Sequence, residues 1–139
     1  MPDGTIDPME NYLLLEANGS AIELPGGPEF WQQLIMSGKP EDEGIKRLMT
    51  SEHGRLLSVI ERDADWVNWE MHPGGDEILM VLKGEMMLVF EEGNGERLLK
   101  LTAGKLAVVP KGVWHTARLN GPTTLLALTD GIGTEHRPA

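Results

Sequence analysis

Glu70-Met71-His72-Pro73-Gly74-Gly75-Asp76-Glu77-Ile78-Leu79-Met80-Val81-Leu82-Lys83-Gly84 is the stretch that decides the reading of this chain. A tight turn, Pro73 to Asp76, separates two runs of strand-like residues, and an imidazole and two carboxylates stand at the ends of those runs. In a strand, residues two apart share a face. Followed back to residue 66, this alternation sets Trp66, Asn68, Glu70 and His72 on one face and Val67, Trp69 and Met71 on the other. The second face is apolar and is expected to be buried, leaving the strand without a solvent side. A polar row on a strand buried on both sides lines a cavity, because buried polar groups need partners. If the turn reverses the chain, Glu77 lands beside His72 or Glu70. Leu79 and Val81 continue its face, so its carboxylate needs a charge partner or a metal.

Working outward, the same texture runs from Arg55 onward. Apolar runs at residues 56–60, 66–72, 77–82, 85–90, 96–101, 106–109, 114–119 and 123–129 are each closed by turn residues such as Lys83-Gly84, Gly93-Asn94-Gly95, Pro110-Lys111-Gly112 and Asn120-Gly121-Pro122. Many short strands at this spacing, with no helical periods between them, indicate an all-β sandwich or barrel. Upstream, residues 12–15 and 21–24 read as strands around Asn18-Gly19. Residues 28–36 read as the one convincing helix, with Phe30, Trp31, Leu34 and Ile35 on one face and Gly38 and Pro40 stopping it. Residues 41–44 read as a charged connector, 1–11 as a loose leader and 131–139 as a tail, although Thr134-Glu135-His136-Arg137 could fold back over the barrel mouth. The expected organisation is an N-terminal extension over 1–54 packing on a barrel over 55–130, followed by the tail.

Length and composition narrow the classes. The 139 residues suit one domain. With no cysteine there is no disulfide and no thiolate metal site, so a metal would be held by nitrogen and oxygen, and a cytoplasmic location is expected. A net charge of −10 argues against nucleic acid as a partner, and the acidic residues read as a solvated surface. The first residues show no basic and apolar leader, and no apolar run approaches the roughly 20 residues of a membrane helix. A soluble protein with a small-molecule ligand, no nucleic acid and no membrane is expected.

Pro110-Lys111-Gly112-Val113-Trp114-His115 brings a second histidine to the start of a later strand. Two imidazoles and two carboxylates at strand mouths suit a divalent first-row metal. A metal-free hydrogen-bonded cluster is the bland alternative. Trp69 and Trp114 face away from the site by alternation, whereas Trp66 faces it; such aromatics serve packing more often than substrate binding. Met71, Met80, Met86 and Met87 read as core or interface filling, and His53 and His136 as surface residues.

These residues carry a resemblance. Residues 70–84 resemble the first motif of the cupin superfamily, with His72 as its second histidine, Glu77 as its glutamate and Gly84 as its closing glycine. Residues 104–115 resemble the second motif through Gly104, Pro110, Gly112 and His115, with Asn120 one position late. Glu70 stands where the family usually has its first histidine, and Ala64 where a glycine is common. The resemblance implies a cupin-type jelly-roll β-barrel (a double-stranded β-helix), here with a short N-terminal helix, and frequently a homodimer. It also implies a divalent ion held by Glu70, His72, Glu77 and His115. A carboxylate in place of an imidazole hardens the donor set and tilts it from copper toward ions such as manganese, iron, nickel or zinc. Trp66 and Asn68 would line a substrate pocket, and Glu70, if not a ligand, would be the catalytic base. The expected function is a metal-dependent enzyme acting on a small organic molecule by oxidation or isomerisation; the alternatives are a non-catalytic metabolite-binding cupin and a structural dimer with a vestigial pocket.

Overall fold

The computed structural model describes residues 4–36 and 40–139. Two antiparallel sheets face each other. In chain order the strands are β1 (Asn11–Leu15), β2 (Ala21–Pro25), β3 (Arg55–Arg62), β4 (Asn68–Met71), β5 (Glu77–Lys83), β6 (Glu85–Glu92), β7 (Gly95–Thr102), β8 (Leu106–Val109), β9 (His115–Leu119), β10 (Thr123–Thr129) and β11 (Glu135–Pro138). One sheet has the order β2-β1-β3-β10-β5-β8 and the other β11-β4-β9-β6-β7. The all-β sandwich or barrel expected from the turn spacing, and the jelly roll that the resemblance implies, agree with the two sheets observed.

The inner faces alternate as a pleated strand requires. Leu79, Val81, Met86, Leu88, Phe90, Leu101, Ala107, Val109, Ala117, Leu125 and Ala127 form the core between the sheets. A second apolar cluster, Tyr12, Leu14, Leu24, Phe30, Ile45, Leu48 and Leu56, lies where β1 and β2 extend the first sheet past β3. The turn into β6 depends on Gly84, whose φ is +82°. A Cβ there would sit 2.5 Å from the Pro122 carbonyl oxygen, which only a glycine avoids.

The N-terminal helix covers the expected residues but is less regular than its periodicity predicts. It runs as α1 (Gly27–Trp31), with Pro28 in its first turn, and continues as a wider π-helical turn at Gln32–Met36. Gly38, expected to stop it, lies outside the described residues, as does the side chain of Ile35. The charged connector is a correction. Its Glu43 and Gly44 open a second helix, α2 (Glu43–Thr50), capped by the Asp42 side chain accepting from the Ile45 amide at 3.0 Å and burying Ile45 and Leu48.

Two further expectations change. Val67 is 80% exposed and Trp69 and Met71 are only half-buried, so the outer face of β4 does meet solvent. The strand is also shorter than the 66–72 run and stops before His72. The residues read as a tail contain β11, which pairs antiparallel with β4 over four positions, from Glu135 opposite Met71 to Pro138 opposite Asn68.

Candidate metal centre

His72, Glu77 and His115 meet between the sheets, and each is at least 95% buried. β5 delivers Glu77 at its first residue, on the face that continues with Leu79 and Val81. β9 delivers His115 at its first residue, after the turn at Pro110–Gly112 that the motif reading expected. β4 delivers Glu70 directly opposite His115 in the ladder, and His72 follows just beyond the strand. The Pro73–Asp76 turn packs closely against the buried Asp130: a Cβ on Gly74 would lie 2.7 Å from an Asp130 carboxylate oxygen.

The distances define one cluster. Glu77 Oε1 is 3.0 Å from His115 Nε2, and Glu77 Oε2 is 3.2 Å from His72 Nε2. Glu70 Oε2 lies 3.7 Å from the same His72 nitrogen. Thr129 donates its hydroxyl to Glu77 Oε2 at 2.5 Å. Glu70, His72 and His115 each present a donor atom within 4.8 Å of the others, a group of the size that holds a metal ion.

The protons can be placed by asking what each neighbour is able to do. His115 Nδ1 faces the Val113 carbonyl at 3.1 Å, and a carbonyl only accepts, so Nδ1 carries a proton. His72 Nδ1 faces the Thr134 hydroxyl at 2.8 Å, and that hydroxyl donates its one proton to the Gly131 carbonyl at 2.8 Å. It must therefore accept from His72, so Nδ1 is protonated there as well. In a neutral imidazole this leaves the Nε2 lone pair aimed at carboxylate oxygens, which also offer only lone pairs. His72 Nε2 is a buried nitrogen without a hydrogen-bond partner, the Glu77 oxygen beside it lying out of line. The arrangement requires positive charge at its centre: protons on the Nε2 atoms, or one cation shared among them.

The electrostatics agree. Burial alone would lower the pKa of His72, but the Glu77 carboxylate beside it, with Glu70 and Asp130 further off, raises it above the ordinary 6.5. Burial would raise Glu77, and the two imidazoles overcome this, taking it from 4.5 to about 2.

Of the other expected site residues, Trp66 turns its ring edge toward His115, 6.1 Å between centroids, and also packs on the main core. Asn68 is half-buried, and its carbonyl accepts from the Thr116 hydroxyl at 2.9 Å. Trp69 and Trp114 lie on the outer side, as alternation expects, both against the Arg137 guanidinium. His136, read as a surface residue, is exposed as expected, and its Nε2 stands 3.4 Å from Glu70 Oε1. Thr129, Asp130 and Thr134 were not singled out. Alternation along β10 with Leu125 and Ala127 could have found Thr129. Thr134 belongs to the segment read as able to fold back over the barrel mouth, and nothing in the sequence marks Asp130.

Residues 56–129, just over half the chain, match the profile of the cupin domain. The chain is a cupin. A search of curated proteins finds no match. Among solved structures, this cupin resembles an oxalate oxidase in complex with the substrate analogue glycolate, with TM-score 0.52 and 21% identity, covering 62% of this chain and 47% of that one. A cupin-2 domain protein from Shewanella frigidimarina matches with TM-score 0.48 and 23% identity, over 54% of this chain and 69% of that one. Hydroxypropylphosphonic acid epoxidase from S. wedmorenis in complex with fosfomycin matches with TM-score 0.48 and 21% identity, over 54% and 43%. The cupin thus spans about half the length of the oxalate oxidase it resembles, and at 21% identity that likeness is one of fold.

Proposed function

We propose that this cupin is a metal-dependent enzyme for a small organic molecule, working by oxidation or isomerisation, with a divalent ion held by Glu70, His72, Glu77 and His115. The observation that carries this reading is that both imidazoles turn Nε2 toward buried carboxylates, so that the cluster needs positive charge at the point where a bound ion would sit. Both rings are fixed with Nδ1 protonated, by Thr134 and by the Val113 carbonyl, which is how ligating histidines are held. Two carboxylates and two neutral imidazoles amount to a formal charge that one divalent ion cancels. The all-nitrogen-and-oxygen donor set suits manganese, iron, nickel or zinc.

When bound, such an ion polarises substrate oxygens as a Lewis acid or, if iron, supplies redox chemistry. The chain's own part is more specific. Glu77, buried and held ionised, fixes charge at the floor of the site, while Thr129 holds its second oxygen. Glu70 is 30% exposed against 5% for Glu77, so it is the carboxylate placed to meet a substrate proton, as ligand or as base. Trp66 and Asn68 would form the wall on the β4 side. The second reading, a metabolite-binding cupin without turnover, draws on the same pocket residues and differs in needing no retained metal.

Elemental analysis of purified protein beside Glu70→Ala and His115→Ala tests the proposal. A near-stoichiometric first-row metal, lost in both variants, supports the four-residue site. Metal kept in Glu70→Ala but lost in His115→Ala makes Glu70 the base. No metal in any sample, even after incubation with each of the four ions, favours the binding module.

We also infer a cytoplasmic homodimer. Leu82, Leu106 and Val108 are exposed on neighbouring positions of the outer face of β5 and its edge partner β8, an uncharged area on a strongly acidic protein. Light scattering should return twice the chain mass, and Leu106→Asp should return it once.

A further inference from the structure

The stretch that matches the cupin domain ends at residue 129, yet two side chains beyond it touch the candidate ligands. β11 is laid beside β4 in a register that sets His136 opposite Glu70, and Glu70 is in turn opposite His115 on β9. Directly paired residues of antiparallel strands share a face. The row His136, Glu70, His115 therefore runs across three strands on the side that faces the barrel interior. Along it, His136 Nε2 lies 3.4 Å from Glu70 Oε1, while Glu70 Oε2 faces His72 Nε2 at 3.7 Å. Just before β11, the Thr134 hydroxyl meets His72 Nδ1 at 2.8 Å and is itself fixed by the Gly131 carbonyl.

The strand is anchored from its other face. Arg137 is paired with Trp69 in the ladder, and its guanidinium lies 5.3 Å from the Trp69 ring centroid and 4.5 Å from that of Trp114. It also forms an ion pair with Glu91 on β6. Ala139 closes the strand by donating its amide to the Val67 carbonyl at 3.0 Å. One face of β11 is thus bound to the outside of the barrel while the other reaches the site.

We propose that the C-terminal strand is the positioning wall of this centre: Thr134 sets the ring of His72, and His136 sets the carboxylate of Glu70. Both are positioning residues: Thr134 meets His72 at Nδ1, the nitrogen turned away from the cluster, and His136 meets the Glu70 oxygen other than the one that faces His72. Thr134 can act only as acceptor toward His72, because its single proton goes to Gly131. That role needs a hydroxyl and nothing else of threonine, so serine preserves it and valine, of the same shape, abolishes it. His136 stands against one oxygen of a partly exposed carboxylate. Without it, Glu70 is free to turn that oxygen, and with it the other, toward water. The consequence for metal retention rests on the metal reading above; the orientation of His72 does not.

The test uses the full chain with Thr134→Val, Thr134→Ser, His136→Ala and His136→Gln. In metal-free protein, nitrogen-15 NMR of the imidazoles should show a His72 Nδ1 proton protected from exchange in the parent and in Thr134→Ser, and unprotected in Thr134→Val. In manganese- or cobalt-loaded protein, chelator competition should show the Kd raised about 10–100-fold by Thr134→Val, the usual cost of removing a group that orients a ligand. His136→Ala should weaken binding about tenfold and alter the cobalt absorption spectrum, and His136→Gln should recover both. A parent that binds neither ion but shows the protected proton, lost only in Thr134→Val, would overturn the metal reading while supporting the positioning of His72. A Thr134→Val protein that keeps both the protected proton and the parent affinity would overturn the role of Thr134. A His136→Ala protein with parental Kd and spectrum would overturn that of His136.

Discussion

The two apolar clusters of this cupin solve different problems. The cluster around Tyr12 and Phe30 is built from aromatic and aliphatic side chains with no ionisable carboxylate or imidazole, and Tyr12, Phe30 and Trp31 meet edge to face at centroid distances of 4.9–6.4 Å. The cluster between the sheets is mostly aliphatic and encloses His72, Glu77 and His115. Every buried polar residue among those described lies at position 58 or later. The first region gains stability from close packing. The second gives up apolar volume to ionisable groups whose burial is tolerable only while their charges are matched. The contrast implies that damage to the N-terminal cluster is felt in stability, and damage to the barrel interior in chemistry and in pH dependence.

The largest expected effect lies in the apolar region. Phe30→Ala removes a fully buried ring and should cost about 3–5 kcal/mol in denaturant unfolding. Metal bound per folded molecule should stay unchanged, and a loss of metal from the folded fraction would break the division between the two regions.

In the barrel the corresponding effect depends on pH. Metal-free protein should draw full stabilisation from the Glu77–His72 pair between about pH 4.5 and 6.5, the ordinary values of the two groups. Below that window the contribution is lost as pH falls toward the depressed Glu77 pKa of about 2. Above it, the His72 share is lost as pH rises through its raised pKa. The Glu77 part is on the order of 3 kcal/mol at 1.36 kcal/mol per pKa unit. Glu77→Gln should flatten the acid limb, read from unfolding midpoints across pH, whereas Phe30→Ala should shift the whole curve without changing its shape.

A smaller effect sharpens the comparison within the barrel itself. Gly84→Ala meets both a left-handed backbone and the Pro122 carbonyl, and should destabilise by about 1–3 kcal/mol without changing the slope with pH.

Much of this was legible in the chain. The barrel could be read because Lys83-Gly84, Pro110-Lys111-Gly112 and Asn120-Gly121-Pro122 interrupt apolar runs at strand intervals, and turn chemistry is local. His72, Glu77 and His115 could be read because strand alternation and the motif spacing agree on them. α2 was missed because its apolar positions, Ile45, Leu48 and Met49, are few and sit among charges, so only the Asp42 cap marks its start. β11 was missed for a different reason. Thr134-Glu135-His136-Arg137 has no apolar alternation, and the strand exists through partners distant in sequence: Glu70, His72, Trp69, Trp114 and Glu91. Val67 erred the other way, since its apolar side chain remains exposed beyond the edge of β4.

The central claim is that a divalent ion, and not protons alone, supplies the positive charge this cluster requires. Calorimetric titration of metal-free protein with manganese, iron, nickel and zinc at about pH 6, in two buffers of different ionisation enthalpy, tests it most directly. One equivalent of at least one ion should bind with net release of protons, because His72, whose pKa its carboxylate neighbours raise, must yield its Nε2 proton to the metal. Binding with no proton release, or no binding by any of the four ions, would contradict it.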